Sequence, residues 1–244
     1  DGQMPAFFTT IQLVMAGNTS EGLYYGTIRT PEKHFVRWKE PCGEAENANT
    51  YASDFTSERI VNDFYRSLLQ MLDKKRLLEL IRDGIIYDAG VKKVARPNQY
   101  FALKAAQPRI LAKDSGIIWH SQGSGKSLTM VWLAKWIHRE IASSRVIVIT
   151  DREELDTQIT ERFQVTGERD VAQARNGKQL LSLLSNSEEP WLITTLVHKF
   201  GSSNRSNRSA KEGEVSIEQF LRELRENLPK NFSPKGDLYV FVDE

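Results

Sequence analysis

Apolar and polar positions along the chain change their period twice, and the changes divide it into stretches of different expected structure. Residues 6–16 and 23–29 are rich in β-branched and aromatic side chains and flank the polar run Gly17-Asn18-Thr19-Ser20-Glu21-Gly22. That pattern predicts an antiparallel hairpin. Residues 40–58, with Pro41, Gly43, Asn47, Asn49 and Ser57, are polar and turn-prone without periodicity, so a domain boundary is expected near residue 50. Beyond it Ile60, Val61, Phe64, Leu68, Leu69 and Leu72 recur at helical spacing, and Leu77, Leu78, Leu80 and Ile81 follow as far as Gly84. Two amphipathic helices are expected there.

From Gly116 onward, short apolar runs alternate with helical stretches. The runs are Ile117–Trp119, Val146–Ile149, Leu192–Thr194 and Leu238–Val242; helical patterns occupy 126–142, 153–163, 177–185 and 216–227. This alternation predicts βαβ units, a parallel sheet covered by helices and hence an α/β fold class. The segment 201–209 has no apolar residue and reads as a surface loop. No internal repeat is visible.

Composition narrows the class without choosing a function. With 40% hydrophobic residues in 244, the chain can bury a sizeable core and has room for one full domain and part of another. Its strongly apolar stretches are far shorter than the roughly 20 residues a membrane span requires. The single cysteine, Cys42, cannot form an internal disulfide, so a cytoplasmic protein is expected. The first residues enter directly into strand-like sequence, and a piece of a longer protein is expected. Basic and acidic side chains number 33 and 32, a formal charge of +1, so any nucleic-acid contact must come from local placement of cations and backbone N–H groups.

Candidate chemistry begins at His120-Ser121-Gln122-Gly123-Ser124-Gly125-Lys126-Ser127, between the expected strand Ile117–Trp119 and a helix through Leu128, Met130, Val131 and Leu133. A phosphate-binding loop needs that context. Glycines let Gln122, Gly123, Ser124 and Gly125 turn their N–H groups inward toward phosphate oxygens, and the helix N-terminus adds partial positive charge. Lys126 would reach the β- and γ-phosphates of ATP, and Ser127 would offer its hydroxyl to Mg²⁺. His120 stands where the strict pattern has glycine.

At the other end, the apolar run Leu238–Val242 leads into Asp243-Glu244. Carboxylates at the C-terminal edge of a strand lie where open α/β sheets bind ligands. Asp243 would hold Mg²⁺, and Glu244 would polarise the attacking water. Between these motifs, Arg96-Pro97-Asn98-Gln99-Tyr100 opens a helix, and the Gln99 amide could either pair with the adenine edge or cap that helix. Thr150-Asp151-Arg152 and Thr194-Thr195 end strands. Their N–H groups and Arg152 could meet a nucleic-acid phosphate, with helix capping by Asp151 as the alternative. The histidines show no metal-ligand spacing.

Taken in order, Arg96–Ala102, Ile118–Met130, Thr150–Gln158, Thr194-Thr195 and Val242–Glu244 resemble the motifs of superfamily 2 helicase-like motors, and more specifically the R subunit of type I restriction enzymes. The tryptophan-histidine lead into the phosphate loop and the aspartate-arginine block carry that specificity. The resemblance implies a RecA-like fold, ATP and Mg²⁺, translocation on duplex DNA, and assembly with methylation and specificity subunits. It also implies that residues 1–50 are the end of a nuclease domain with its linker, and that 51–244 are the first motor domain as far as its Walker B strand. On that expectation, the nuclease carboxylates and the second motor lobe with its arginine finger lie outside these residues, and the isolated piece binds ATP without rapid turnover or DNA cleavage. Two alternatives stay open: a helicase or remodelling ATPase of another nucleic-acid system, and a nucleotide-dependent scaffold that does not translocate.

Overall fold

The structure is a computed structural model that describes residues 10–40, 62–150, 153–168, 170–174, 177–185, 190–196, 226, 228 and 235–243. The expected boundary near residue 50, the loop 201–209 and most of the helical pattern 216–227 lie outside those residues. The chain divides into two compact units, Asp1–Trp132 and Leu133–Glu244.

In the first unit, β1 (Val14–Asn18), β2 (Gly22–Gly26) and β3 (Val36–Arg37) form an antiparallel sheet in that order. The hairpin is tighter than its apolar pattern suggests. The Asn18 side chain accepts hydrogen bonds from the Ser20 and Glu21 backbone N–H groups at 2.9 and 2.7 Å, and Gly22 takes φ +86° to start the return strand. Two helices come next, α1 (Asp63–Leu72) and α2 (Lys74–Asp83), as the spacing predicts. Asn62 caps the first by accepting from Tyr65 N–H, and Asp73 caps the second by accepting from Arg76 N–H. A second hairpin, β4 (Ile85–Asp88) with β5 (Val91–Val94), turns through Ala89 and Gly90, both with positive φ.

The N-terminal sheet and helix α3 (Pro97–Leu111) share an aromatic cluster within this unit. Trp38, 1% exposed, places its ring 5.8 Å from Tyr25, 5.8 Å from Tyr100 and 5.6 Å from Phe101, centroid to centroid. The last two belong to α3. Tyr25 donates its hydroxyl to the Ala95 carbonyl at 2.8 Å; burial pushes that phenol's pKa well up, against a smaller opposing effect of Arg96, so it stays protonated as the donor. Arg76, also buried, pairs with Glu40 and lies against Trp38. Aromatic burial of this kind stabilises the unit.

Helix α4 (Lys126–Glu140) contains the division between the units. In the second unit β6 (Ser144–Thr150), β7 (Val171–Ala174), β8 (Leu192–Leu196) and β9 (Asp237–Asp243) form a wholly parallel sheet in the order β7-β8-β6-β9. Val146, Val148, Leu192 and Ile193 are fully buried, as continuous apolar runs in a covered parallel sheet should be. Helix α6 (Gly177–Ser185) covers one face with Leu180, Leu183 and Leu184 against Ile147, Ile193 and Ala174. The other face meets α5 (Glu153–Val165), where Thr160 and Thr194 share a hydrogen bond of 3.0 Å and Gln173 donates to the Asp156 carboxylate. Arg145 at the start of β6 reaches the end of α6 and donates to the carbonyls of Leu183 and Leu184 at 2.6 and 2.9 Å. A cation there complements the negative end of the helix dipole.

This is the expected α/β class, a RecA-like parallel sheet with an antiparallel sheet before it. One expected strand is absent among the described residues: Ile117–Trp119 forms no ladder, and Ile117 and Trp119 are each 90% exposed. Three apolar residues become a strand only where a neighbouring edge takes their N–H and C=O groups, and no described strand does.

Candidate nucleotide site

The phosphate loop is built from the backbone outward. Gly123 and Gly125 take φ values of +76° and +88°, the left-handed region that glycine occupies without steric cost. Between them the Ser124 N–H donates to the Ser121 carbonyl at 3.2 Å, and the Ser124 hydroxyl donates to the same oxygen at 2.6 Å. The alternation of conformations closes the loop and leaves Lys126 as the first residue of α4. Lys126 is exposed, Ser127 half-buried, and Gln122 and Gly123 are open to solvent. Such a concave run of N–H groups at a helix start suits an anion.

The loop is braced from α3. Gln99, 2% exposed, accepts the Arg96 backbone N–H on Oε1 at 2.9 Å and donates from Nε2 to the Gly125 carbonyl at 3.0 Å. Gly125 O also receives the N–H groups of Leu128 and Thr129, both at 3.1 Å. A Cβ at position 125 would lie 2.5 Å from Gln99 Nε2, so glycine is required there for two reasons, its φ and its neighbour. Of the two options for Gln99 the capping contact is present, its amide accepting at the first turn of α3, and the same amide also holds the phosphate loop. An amide has a second N–H and a second acceptor lone pair still to offer. Arg96, at the N-cap, precedes Pro97 in the first helical position.

In the second unit, Asp243 ends β9 directly opposite Thr150 of β6. Asp243 is half-buried and Thr150 is 1% exposed. Thr194 and Thr195 are fully buried, and Thr195 donates to the Ala174 carbonyl at 3.2 Å. The side chains of Thr150, Thr194 and Thr195 thus face the interior, which removes them as direct side-chain contacts for a polyanion in this conformation. Arg152 and Glu244 lie outside the described residues. Among the described residues no three His, Cys, Asp or Glu side chains converge on a point. Groups of the kind that ATP with a divalent cation takes are present within each unit separately: the glycine turn and the Ser127 hydroxyl in the first, and in the second the Asp243 carboxylate at the register position of Thr150, whose buried hydroxyl makes no hydrogen bond.

Sequence reasoning missed β7 and the β4–β5 hairpin. The hairpin's signal is present, since Ala89-Gly90 sits between two β-branched runs. The link from Gln99 to Gly125 has no sequence signal, because it is a tertiary contact.

Comparison with known proteins bears on this geometry. The profile of the SWI2/SNF2 ATPase family matches residues 98–244. The chain is 25% identical over 201 residues to the type I restriction enzyme HindI endonuclease subunit of Haemophilus influenzae, covering 75% of this chain and 18% of that protein. It is 27% identical over 164 residues to the SsaAORF53P endonuclease subunit of Staphylococcus saprophyticus, covering 66% and 17%. With the putative MjaVIIP endonuclease subunit of Methanocaldococcus jannaschii it shares 33% identity over 128 residues, 46% and 12% of the two chains. The chain therefore spans less than a fifth of the length of the curated relatives it matches.

Proposed function

Since this chain belongs to the SWI2/SNF2 ATPase family, we propose that it is the ATP-binding part of the motor in a type I restriction endonuclease subunit, which hydrolyses ATP to move on duplex DNA. The observation that carries the reading is the phosphate loop itself, with left-handed Gly123 and Gly125 at the head of α4 and the Gln99 amide holding Gly125. The relatives it resembles are endonuclease subunits of restriction enzymes, which supports the system and the DNA substrate. Methylation and specificity subunits are the proposed protein partners, and the cytoplasm the proposed location. No helix among the described residues is long and apolar enough to cross a membrane. Residues 1–50 are proposed as the end of the nuclease domain and its linker, and 51–244 as the first motor domain.

In this site the N–H groups of Gln122, Gly123 and Gly125 would surround the phosphates, with Ser124 joining them on release of its N–H from the Ser121 carbonyl, and Lys126 would place its ammonium against the β- and γ-oxygens. Ser127 and Asp243 are the residues that would hold Mg²⁺, which when bound offsets the charge of the transferring phosphoryl group. Glu244 orients and polarises the attacking water. Gln99 and Arg96 are assigned to the base end, where the second N–H and lone pair of the Gln99 amide would recognise the adenine edge. For DNA, Arg152 is the proposed phosphate contact. The strand ends at Thr150 and Thr194-Thr195 contribute through backbone groups, their side chains being buried.

The test is ATP turnover by the full-length subunit, assembled with its partners, with and without duplex DNA. DNA-stimulated hydrolysis that Lys126→Ala abolishes is expected. Nucleotide binding without stimulation by DNA would instead make the chain a nucleotide-dependent scaffold.

A further inference from the structure

The α5 face of the second unit's sheet carries a line of polar side chains, and each has a partner except one. Gln173 on β7 donates to Asp156, and Thr194 on β8 shares its hydroxyl with Thr160. Thr150 on β6 lies on that face too, because Val148 is the register partner of Thr194 and Thr150 follows Val148 by two. Its hydroxyl is buried and makes no hydrogen bond. Native proteins seldom leave such a group unpaired, and one that persists calls for a reason such as a ligand that arrives later. Across the parallel ladder the register partner of Thr150 is Asp243, on the same face of the neighbouring strand. Paired strands lie about 4.8 Å apart, so a hydroxyl and a carboxylate at one register position can meet with a small torsional adjustment.

We propose that Thr150 is a positioning residue for Asp243: its hydroxyl donates to one carboxylate oxygen when nucleotide and metal are bound, and so turns the other oxygen toward the metal. The proposal rests on reading Asp243 as a metal-holding carboxylate. It assigns the Thr150 side chain to the metal site and leaves only its backbone groups to a nucleic-acid phosphate. The β-branched side chain suits the task, since its χ1 is stiff within a strand and holds the hydroxyl in one direction. Among the described residues, the other buried acceptor without a partner on this face is Asp156 Oδ1, on α5, so the test must separate a hydroxyl serving Asp243 from one serving the α5 layer.

The experiment titrates Mn²⁺ into the full-length protein with saturating ATP and reads bound metal by electron paramagnetic resonance, alongside thermal unfolding of the metal-free protein. Thr150→Val, which removes the hydroxyl and keeps the shape, is expected to weaken Mn²⁺ about tenfold, the scale of one hydrogen bond to a charged group. Thr150→Ser should restore the affinity. Asp243→Asn should weaken it further, and adding Thr150→Val to Asp243→Asn should change little more, because the two act through one interaction. Thr150→Val that binds Mn²⁺ like the wild type, while Asp243→Asn does not, overturns the role of Thr150 alone. If that variant also lowers Tm, the hydroxyl serves α5. Undiminished Mn²⁺ affinity in Asp243→Asn overturns the metal-site reading itself, and the proposal with it.

Discussion

The Gly123–Gly125 turn and the Thr150–Asp243 strand ends contribute to one proposed function but are held in place differently. At the turn the main determinants are close in sequence, two left-handed glycines and a Ser121–Ser124 hydrogen bond, and one tertiary contact, from the amide of Gln99 on the preceding helix, braces them. At the strand ends no local feature fixes the geometry. Asp243 reaches its place because β9 pairs with β6 in parallel register, and β6 in turn is set by apolar contacts with α6 and by the Arg145 clasp on the end of that helix. A loop fixed locally can be altered with little effect on the rest of the fold. A carboxylate fixed by a sheet moves only when the sheet does. Substitutions at the two places should therefore separate into changes of affinity and changes of stability.

The largest effect on the stability side is expected at Arg145. Arg145→Met keeps the apolar stem but removes both hydrogen bonds to the Leu183 and Leu184 carbonyls. This should cost about 3 kcal/mol, since each such bond involves a charged donor and the carbonyls are left without it. Urea unfolding of the chain gives the number. If nucleotide affinity falls in Arg145→Met with no loss of stability, the separation between the two regions fails.

Much of this arrangement is legible in the order of residues alone. The Gly-Ser-Gly-Lys-Ser core predicts a left-handed turn at the head of a helix because only glycine fits that backbone cheaply, and the turn is there. The apolar runs around Val146, Leu192 and Leu238 predict parallel strands, and those strands are there as well; the first two are covered on both faces, as runs without alternation should be, while β9 keeps an alternating exposure. Two limits of this reasoning have physical causes. Ile117–Trp119 has the composition of a strand, but composition cannot supply a ladder partner. Thr150, Thr194 and Thr195 look like surface residues because threonine is polar; Thr150 and Thr194 lie on the face that α5 covers and Thr195 on the face that α6 covers, and periodicity alone locates neither helix. Gln99 lies between these cases. Its place in the sequence offers capping or adenine recognition, and the structure adds a contact to Gly125 that neither option contains.

That contact sets the smaller expected effect. Gln99→Ala removes the acceptor for Arg96 N–H and the donor to Gly125 O, each a neutral hydrogen bond of about 1 kcal/mol, so Tm should fall modestly and the unbraced loop should bind ATP several-fold more weakly. If the amide also recognises adenine, as proposed, competition binding should show a narrower preference for ATP over GTP. Equal weakening of both nucleotides would restrict Gln99 to bracing the loop and sharpen the contrast between the two regions.

The central claim is that the glycine turn at the start of α4 is a nucleotide phosphate site, and calorimetric titration of ATP·Mg into the wild-type protein and Lys126→Ala tests it most directly. Lys126 is exposed at the first position of the helix, so its loss should leave the fold and Tm intact. It supplies the loop's cationic side chain, and removing a charge-assisted contact to phosphate should weaken ATP by about a hundredfold. Equal ATP affinity in the two folded proteins would contradict the account and leave the loop a glycine turn without a ligand.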